Sequence, residues 1–518
     1  LKTLAELARL IQLDADDVIP YGSEGGKISL AALDRPGRAG QLILVTAMSP
    51  NPAGEGKTTV AIGLADALVR LGESAVVALR EPSMGPVFGK KGGGSGGGRA
   101  QLRGSAAINL HFHGDLAAIT QAHNLLASAL DNHLHFGNAL GLDVRKVSWP
   151  RVLDLNERSL RQVVVGLGGL ARESAFVITA ASEVMAILAL SRDWGDLRRR
   201  LGAIEVATTR EGQPVSADDL KVAGAMAILL RDALQPNLVQ TLDGTPAIVH
   251  CGPFANIAHG TSSLVGSLAG LRGADFVVQE AGFGADLGGE KFLDLFCPQL
   301  GQDPALAVVV VTLPGIAHHG LENALDQLGR MQRFGVPVVA CLNARADDDR
   351  EQQQRVLQEL KQAGQAAFLV DVYAQGGEGA LDLADFVRGY REPAPVKRAY
   401  LAEQPLAEKI ERVALGVYGA ERVDYSPKAR QQLLELERRG INPAYVCWAK
   451  TQYSFSDDPK KTGLAKNFRL NVRELQWRAG AGFVVPLAGE MMNMPALPSA
   501  PNYEAMDLLP DGTIVGMN

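Results

Sequence analysis

The chain has 518 residues, a formal net charge of -6, 47% apolar residues and 21% charged residues. That balance belongs to a globular protein with chain enough for several domains, and its acidity excludes a general nucleic-acid binder, which would be basic. Four cysteines, Cys251, Cys297, Cys341 and Cys447, lie far apart without C-x-x-C spacing, which argues against a disulfide scaffold or zinc ribbon and fits a reducing compartment. The first residues, L-K-T-L-A-E-L-A-R-L-I-Q-L, are amphipathic and contain acid, unlike a signal peptide. The longest apolar stretch, 175–190, carries Ser182 and Glu183 and is short for a membrane span. A cytoplasmic location without membrane contact is therefore expected.

In chain order, short β-branched runs fall at 42–45, 75–79, 163–165, 247–249, 276–278, 307–312, 336–340 and 367–370. Helical patterns lie between several of them, as at 60–71 and 323–332. Continuous apolar strands alternating with helices predict an α/β fold built on a parallel sheet covered on both faces. Glycines cluster at 92–98, in F-G-K-K-G-G-G-S-G-G-G-R. The segment is either a flexible linker or, since strand-like and helical stretches flank it, a ligand-facing loop that needs close backbone approach. At Glu392-Pro393-Ala394-Pro395 the pattern breaks, and a boundary is expected there. From Phe483 onward Pro, Met and Gly predict irregular structure with short strands.

The strongest local signal is L-I-L-V-T-A-M-S-P-N-P-A-G-E-G-K-T-T-V-A-I-G-L. A strand ends near Ala47 and a helix begins near Thr58, so Pro52, Ala53, Gly54, Glu55, Gly56, Lys57, Thr58 and Thr59 form a P-loop-type turn. Backbone N–H groups at such a helix start stabilise phosphate oxygens. Lys57 would reach the β- and γ-phosphates and Thr58 would ligate Mg²⁺. The usual pattern has glycine at the position of Asn51, and Asn is the next most tolerant residue of a left-handed backbone. The following strand brings Arg80 and Glu81 to its carboxyl end, where open parallel sheets bind ligands. Arg80 either clamps an anion beside Lys57 as a bidentate fork or forms a surface pair with a nearby Glu.

At these residues the chain resembles the formate–tetrahydrofolate ligase family. The matching stretches are P-A-G-E-G-K-T-T, V-A-L-R-E-P-S-M-G-P, I-N-L-H-F-H-G-D, L-D-N-H-L, A-S-E-V-M-A-I-L, P-N-L-V-Q-T-L, G-P-F-A-N-I-A-H-G, E-A-G-F-G-A-D-L-G-G-E-K-F, G-G-E-G and A-K-T-Q-Y-S-F-S-D-D. They run almost from end to end in the family's order. The resemblance implies three domains (1–297 holding nucleotide and formyl phosphate, 298–415 contributing a folate-side wall, 416–518 closing the chain) in a homotetramer or dimer. It implies small-molecule substrates only, namely ATP, formate and tetrahydrofolate, with Mg²⁺ and a stimulating monovalent cation. Formate would attack the γ-phosphate, and a folate nitrogen would then attack the formyl phosphate. Lys57 and Arg80 would neutralise charge in the first step. Asp115 in H-G-D, with Glu280 and Asp286, would hold metal or orient groups, unless these are caps or salt bridges. Phe283 would wall the ligand site or sit in the core. Asn256 and His259 lie in a loop that looks anion-facing, although a single His is more often structural.

The departures gather on the folate side. In the family the pterin stacks between a Phe and a Trp. Here Arg345, in C-L-N-A-R, and Tyr373, in V-Y-A-Q-G-G-E-G, stand at those positions. An aromatic wall is worth ~1–3 kcal/mol per ring, and a guanidinium can itself stack on a π-face. Two readings stay open: a ligase with a divergent folate pocket, or a paralogue that keeps ATP and formate activation but serves another acceptor or a regulatory role.

Overall fold

The computed structural model describes residues 2–23, 25–52, 54–89, 93–442 and 444–517. Ala53 and Gly92 therefore lie outside the described residues. Ten strands form the central sheet: β1 (Val18–Tyr21), β2 (Gly25–Ile28), β3 (Gln41–Ala47), β4 (Ala75–Leu79), β5 (Asn237–Gln240), β6 (Pro246–Val249), β7 (Phe276–Glu280), β8 (Leu306–Val311), β9 (Val338–Asn343) and β10 (Ala367–Val370). Their spatial order is β1-β2-β5-β6-β4-β7-β3-β8-β9-β10. From β6 to β10 every neighbouring pair is parallel. Strands β1, β2 and β5 add an antiparallel edge.

The sheet is thus mixed rather than wholly parallel. Strand β5 reaches β6 through a short turn at 241–245, and so short a link permits only an antiparallel pair. The run at 163–165 also departs from expectation. It pairs with Arg172–Ser174 in an antiparallel hairpin outside the central sheet. Gly166 and Gly168, with φ of 75° and 87°, turn the chain back at once.

The central strands are apolar at successive positions because both faces are covered. Along β3, Leu42 and Leu44 enter one core while Ile43 and Val45 enter the other, as the two-residue period of a strand requires. Helix α1 (Lys57–Arg70) lays Val60, Ala61, Leu64 and Leu68 on the second core. Helices α2 (Asp115–His135) and α3 (Leu321–Arg333) cover the first, through Ile119 and Leu126 and through Ala324 and Leu328. A separate four-stranded sheet pairs Arg422–Tyr425, Arg469–Arg478, Phe483–Ala488 and Tyr445–Val446 in that order. After Ala488 the chain is largely irregular. No described helix is long and apolar enough to cross a membrane.

Candidate active site at the carboxyl edge of the central sheet

The parallel strands carry their carboxyl ends to one edge, and the candidate residues follow from those ends. Strand β3 runs into the loop 48–56, β4 into Arg80 and Glu81, β7 into Glu280 and Phe283, β9 into Asn343 and Arg345, and β10 into Tyr373. The local strand order, β4-β7-β3-β8, puts Glu280 at the end of the strand that lies between those supplying Arg80 and the loop. Successive units diverge to either side of β3, which makes a crevice at this edge.

The loop is held by its own side chains. Glu55 is buried, and its Oε1 accepts from the Asn51 backbone N–H at 2.7 Å and from Asn51 Nδ2 at 2.8 Å. Positive φ falls on Gly54 and Gly56, at 77° and 74°, and not on Asn51. Asn51 therefore stands at its position as a hydrogen-bond donor that ties the turn to Glu55, not as a left-handed residue. Asn343 Nδ2 donates to the Glu55 carbonyl at 3.0 Å. A Cβ on Gly56 would come within 2.6 Å of that same amide nitrogen, so glycine is required there twice over.

Three charged groups converge beside the loop. Thr58 Oγ1 donates to Glu280 Oε2 at 2.7 Å, and Arg80 Nε donates to Glu280 Oε1 at 3.2 Å. Lys57 Nζ lies 3.9 Å from Glu55 Oε2. Burial pulls the Lys57 ammonium below its ordinary value, while Glu55 and Glu280 oppose that shift. Burial raises Glu55, with Lys57 opposing. Together these residues line a cleft of about 440 Å³, with Phe283, Tyr453 and the backbone of Gly252 among its walls. An adjoining hollow of about 630 Å³ shares Phe254, Phe283, Gln452 and Tyr453 with it and adds Met491 and Asp457. Thr58 and Glu280 offer the hard oxygen donors that suit Mg²⁺, which takes one or two protein oxygens and leaves the rest to phosphate and water. The described residues contain no cluster of three or more His, Cys, Asp or Glu placed to hold a metal by themselves.

Of the residues read from the sequence, Pro52, Gly54, Glu55, Lys57, Thr58, Arg80, Glu81 and Phe283 line this cleft. Gly56 caps α1 and Thr59 lies in its first turn. Phe283 has φ of 62°, an uncommon backbone for an aromatic residue, held where β7 turns into the next helix. Asp115 lies deeper, at the start of α2. Its Oδ1 accepts from Lys27 Nζ at 2.7 Å and its Oδ2 from Asn237 Nδ2 at 2.8 Å. Burial, and then the like charge of Asp115, push the Glu81 carboxyl well above its usual range. Arg345 and Tyr373 follow adjacent parallel strands but line neither hollow. The Tyr373 ring is half exposed, at 56%, and a Cβ on Gly97 would lie 3.2 Å from it. Gly94 lines the cleft, while Gly96–Gly97 pairs with Ala100–Gln101 in a short hairpin, so the described part of the glycine cluster is an ordered cleft wall and not a linker.

The reading of Asn256 and His259 as anion-facing is not borne out. Asn256 Nδ2 donates to Gln476 at 2.9 Å. His259 is fully buried with its ring stacked 5.7 Å from Phe296, and burial lowers it to about 3. Asp286 pairs with the buried Lys450 at 3.1 Å, so it is a salt bridge behind the site. Sequence reading missed Asn343, Asp154 and Lys27. Asp154 takes the Ser83 hydroxyl at 2.5 Å and the Met84 N–H at 3.1 Å, fixing the turn after Arg80. Asn343 ends a strand, which is a signal that could have been used; Lys27 sits among small residues and gives none.

The glycine loop, a lysine, an arginine and a carboxylate thus stand together at the carboxyl edge of a parallel-cored α/β sheet, the edge at which such sheets bind ligands. A family model described as formate–tetrahydrofolate ligase matches residues 1–518. Proteins named formate–tetrahydrofolate ligase from Nocardioides sp. and Symbiobacterium thermophilum are 49% identical over 549 residues and 48% identical over 543 residues. One of the same name from Acidiphilium cryptum is 48% identical over 549 residues. In each case the match covers 100% of this chain and 98% of the relative. The chain belongs to the formate–tetrahydrofolate ligase family.

Proposed function

We propose that the protein joins formate to tetrahydrofolate at the cost of ATP, giving 10-formyltetrahydrofolate, ADP and phosphate. The observation that carries this reading is the convergence of Lys57, Arg80, Thr58 and Glu280 on one cleft beside a glycine-turned loop. The loop 50–59 acts as a P-loop: its N–H groups and the start of α1 cradle the phosphates, and Lys57 reaches the transferred group. Thr58 and Glu280 hold Mg²⁺, which supplies charge neutralisation on the phosphates when bound. Arg80, anchored through Nε, presents its remaining nitrogens to the anion formed when formate displaces ADP. The folate nitrogen then attacks the formyl carbon, and phosphate leaves, so no Ser or Cys nucleophile is needed.

The hollow walled by Phe283, Phe254 and Tyr453 takes the adenosine. The pterin lies on the opposite side of the loop, between Arg345 and Tyr373, where β9 and β10 end side by side. The large nucleotide domain (1–297), a second α/β domain (298–415) and the C-terminal domain (416–518), a homo-oligomer and a stimulating monovalent cation complete the reading. The test is product absorbance with ATP, formate and tetrahydrofolate. Wild type is expected to turn over and Lys57→Ala to lose at least ~10³-fold in kcat. Formate-dependent hydroxamate trapping without product at saturating tetrahydrofolate would move the acceptor elsewhere; no ATP turnover under either condition would end the proposal.

A further inference from the structure

A second cleft, of about 570 Å³, opens at the far end of α3. Arg330 and Arg333 of α3, Lys397 and Arg398 of a crossing segment, and Arg412 at the end of α4 (Leu406–Arg412) line it, with Phe334, Leu415 and Val417 as an apolar wall. Arg398 pairs with Asp303, Arg330 with Asp326 and Arg412 with Glu408. Arg333 and Lys397 make no ion pair among the described residues, and Glu411 is the one lining carboxylate left to face them.

The floor carries a further signal. Arg330 is only 5% exposed, and its guanidinium lies 4.0 Å over the Phe455 ring. Nε donates to Asp326 at 2.6 Å, but Nη1 is buried with no acceptor among the described residues. A buried guanidinium donor without an acceptor is costly, and Nη1, which has no accessible surface, meets an incoming oxygen once the Arg330 side chain turns toward the cleft. The cations without an ion pair, Arg333 and Lys397, come from two separate elements, which suits a tetrahedral dianion better than a planar carboxylate, for which one arginine fork is enough. The volume is that of a small-molecule site.

The same helix touches the phosphate loop. Asn323 Oδ1 accepts from the Ser49 N–H at 3.1 Å, and Gln327 Nε2 donates to Ser49 Oγ at 3.2 Å. Asn323 and Arg330 are two turns apart, about 10 Å along the axis. We propose that this cleft is a regulatory site for a small phosphomonoester with an apolar body, gripped by Arg330, Arg333 and Lys397 and read at the phosphate loop through α3.

Phenyl phosphate is the probe. Calorimetric titration uses the full chain carrying Lys57→Ala, so that the phosphate loop does not compete. It is expected to show saturable binding, weakened at least about tenfold by adding Arg333→Glu and Lys397→Glu. Both of these residues are exposed, and their double variant in an otherwise wild-type chain is expected to keep its fold and basal turnover. Phenyl phosphate should then shift the KM for ATP in wild type and not in that double variant. The binding arm stands apart from the ligase reading, whereas the KM arm rests on it. Equal affinity with and without the charge reversals, no saturable binding at about millimolar probe, or a crystal of the full chain with a neighbouring copy's side chains filling the cleft would overturn the proposal.

Discussion

Glu280 sets the charge balance of the site, because one carboxylate serves two partners. Its Oε2 takes the Thr58 hydroxyl and its Oε1 takes Arg80 Nε, and both partners face the proposed phosphate position. Glu280→Gln keeps the size and removes the charge. Arg80 then loses its anchor and the Thr58 pair loses its anionic oxygen for Mg²⁺. We expect kcat to fall about 10²-fold and the Mg²⁺ concentration for half-saturation to rise, while the melting temperature moves little. Steady-state kinetics across a Mg²⁺ series checks this, and an unchanged Mg²⁺ requirement would remove Glu280 from the proposed Mg²⁺ site. Lys27 poses the opposite case. Its ammonium is buried against Asp115 with Glu81 close by. Lys27→Met leaves the buried Asp115 carboxylate without its cation, so a loss of about 3–5 kcal/mol in urea unfolding is expected.

At the scale of elements, the phosphate turn is locked from outside by a strand. Asn343, the last residue of β9, donates to the Glu55 carbonyl and fills the space a Cβ on Gly56 would need. Gly56→Ala must therefore meet two penalties, a clash at 2.6 Å and a φ of 74°. Adding Asn343→Gly relieves the clash but leaves the φ unchanged, and it also removes the hydrogen bond to the Glu55 carbonyl, an effect that Asn343→Gly alone measures. The double variant is expected to recover part of the ATP affinity lost by Gly56→Ala, and to stay at least about 1 kcal/mol less stable than wild type from backbone strain. Nucleotide titration and thermal melts on the three variants separate the two terms; full recovery would mean that the left-handed turn carries no strain. This pair also marks where sequence reading stops. Gly54, Gly56 and Lys57 were legible because their spacing is local and its chemistry is fixed by a strand-to-helix turn. Arg80 was legible because strand ends are. Asn343 lies 288 positions from Glu55 in sequence, and only the register of β3, β8 and β9 brings them together. Asn51 was read as a backbone device and is a side-chain one, since composition cannot say which way an amide points. The antiparallel edge escaped because β1, β2 and β5 are short and lack the apolar runs that betray interior strands.

At the scale of the molecule, the same burial that builds the site fixes how stability depends on pH. His123 of α2 is 1% exposed, stacked 4.1 Å from Trp149, with Nδ1 beside Ser182 Oγ at 2.7 Å and Nε2 beside the Pro150 carbonyl at 2.9 Å. It thus ties α2 to two other segments. Burial lowers it from 6.5 to about 3, so the folded protein keeps it neutral where the unfolded chain protonates it. Between those values the unfolded state binds more protons, and stability falls as the pH drops below 6.5. Asp66 and Asp154, raised by burial to about 6, and Glu183, raised to about 7, work the other way. Each contributes stability at low pH that is lost as pH rises through its raised value. The whole protein therefore shows only the sum, and a melt of wild type alone cannot assign it. His123→Gln separates the terms, because Gln keeps a polar contact and removes the proton. The variant is expected to be less stable than wild type at pH 7, through lost ring packing against Trp149. From pH 7 to pH 5 that deficit should shrink by about 2 kcal/mol, since wild type alone bears the cost of holding the imidazole neutral. Urea unfolding at the two pH values measures the difference. A deficit that stays constant would mean that His123 takes up a proton in the folded state as readily as in the unfolded one, and that the joint of α2, Trp149 and Ser182 admits water.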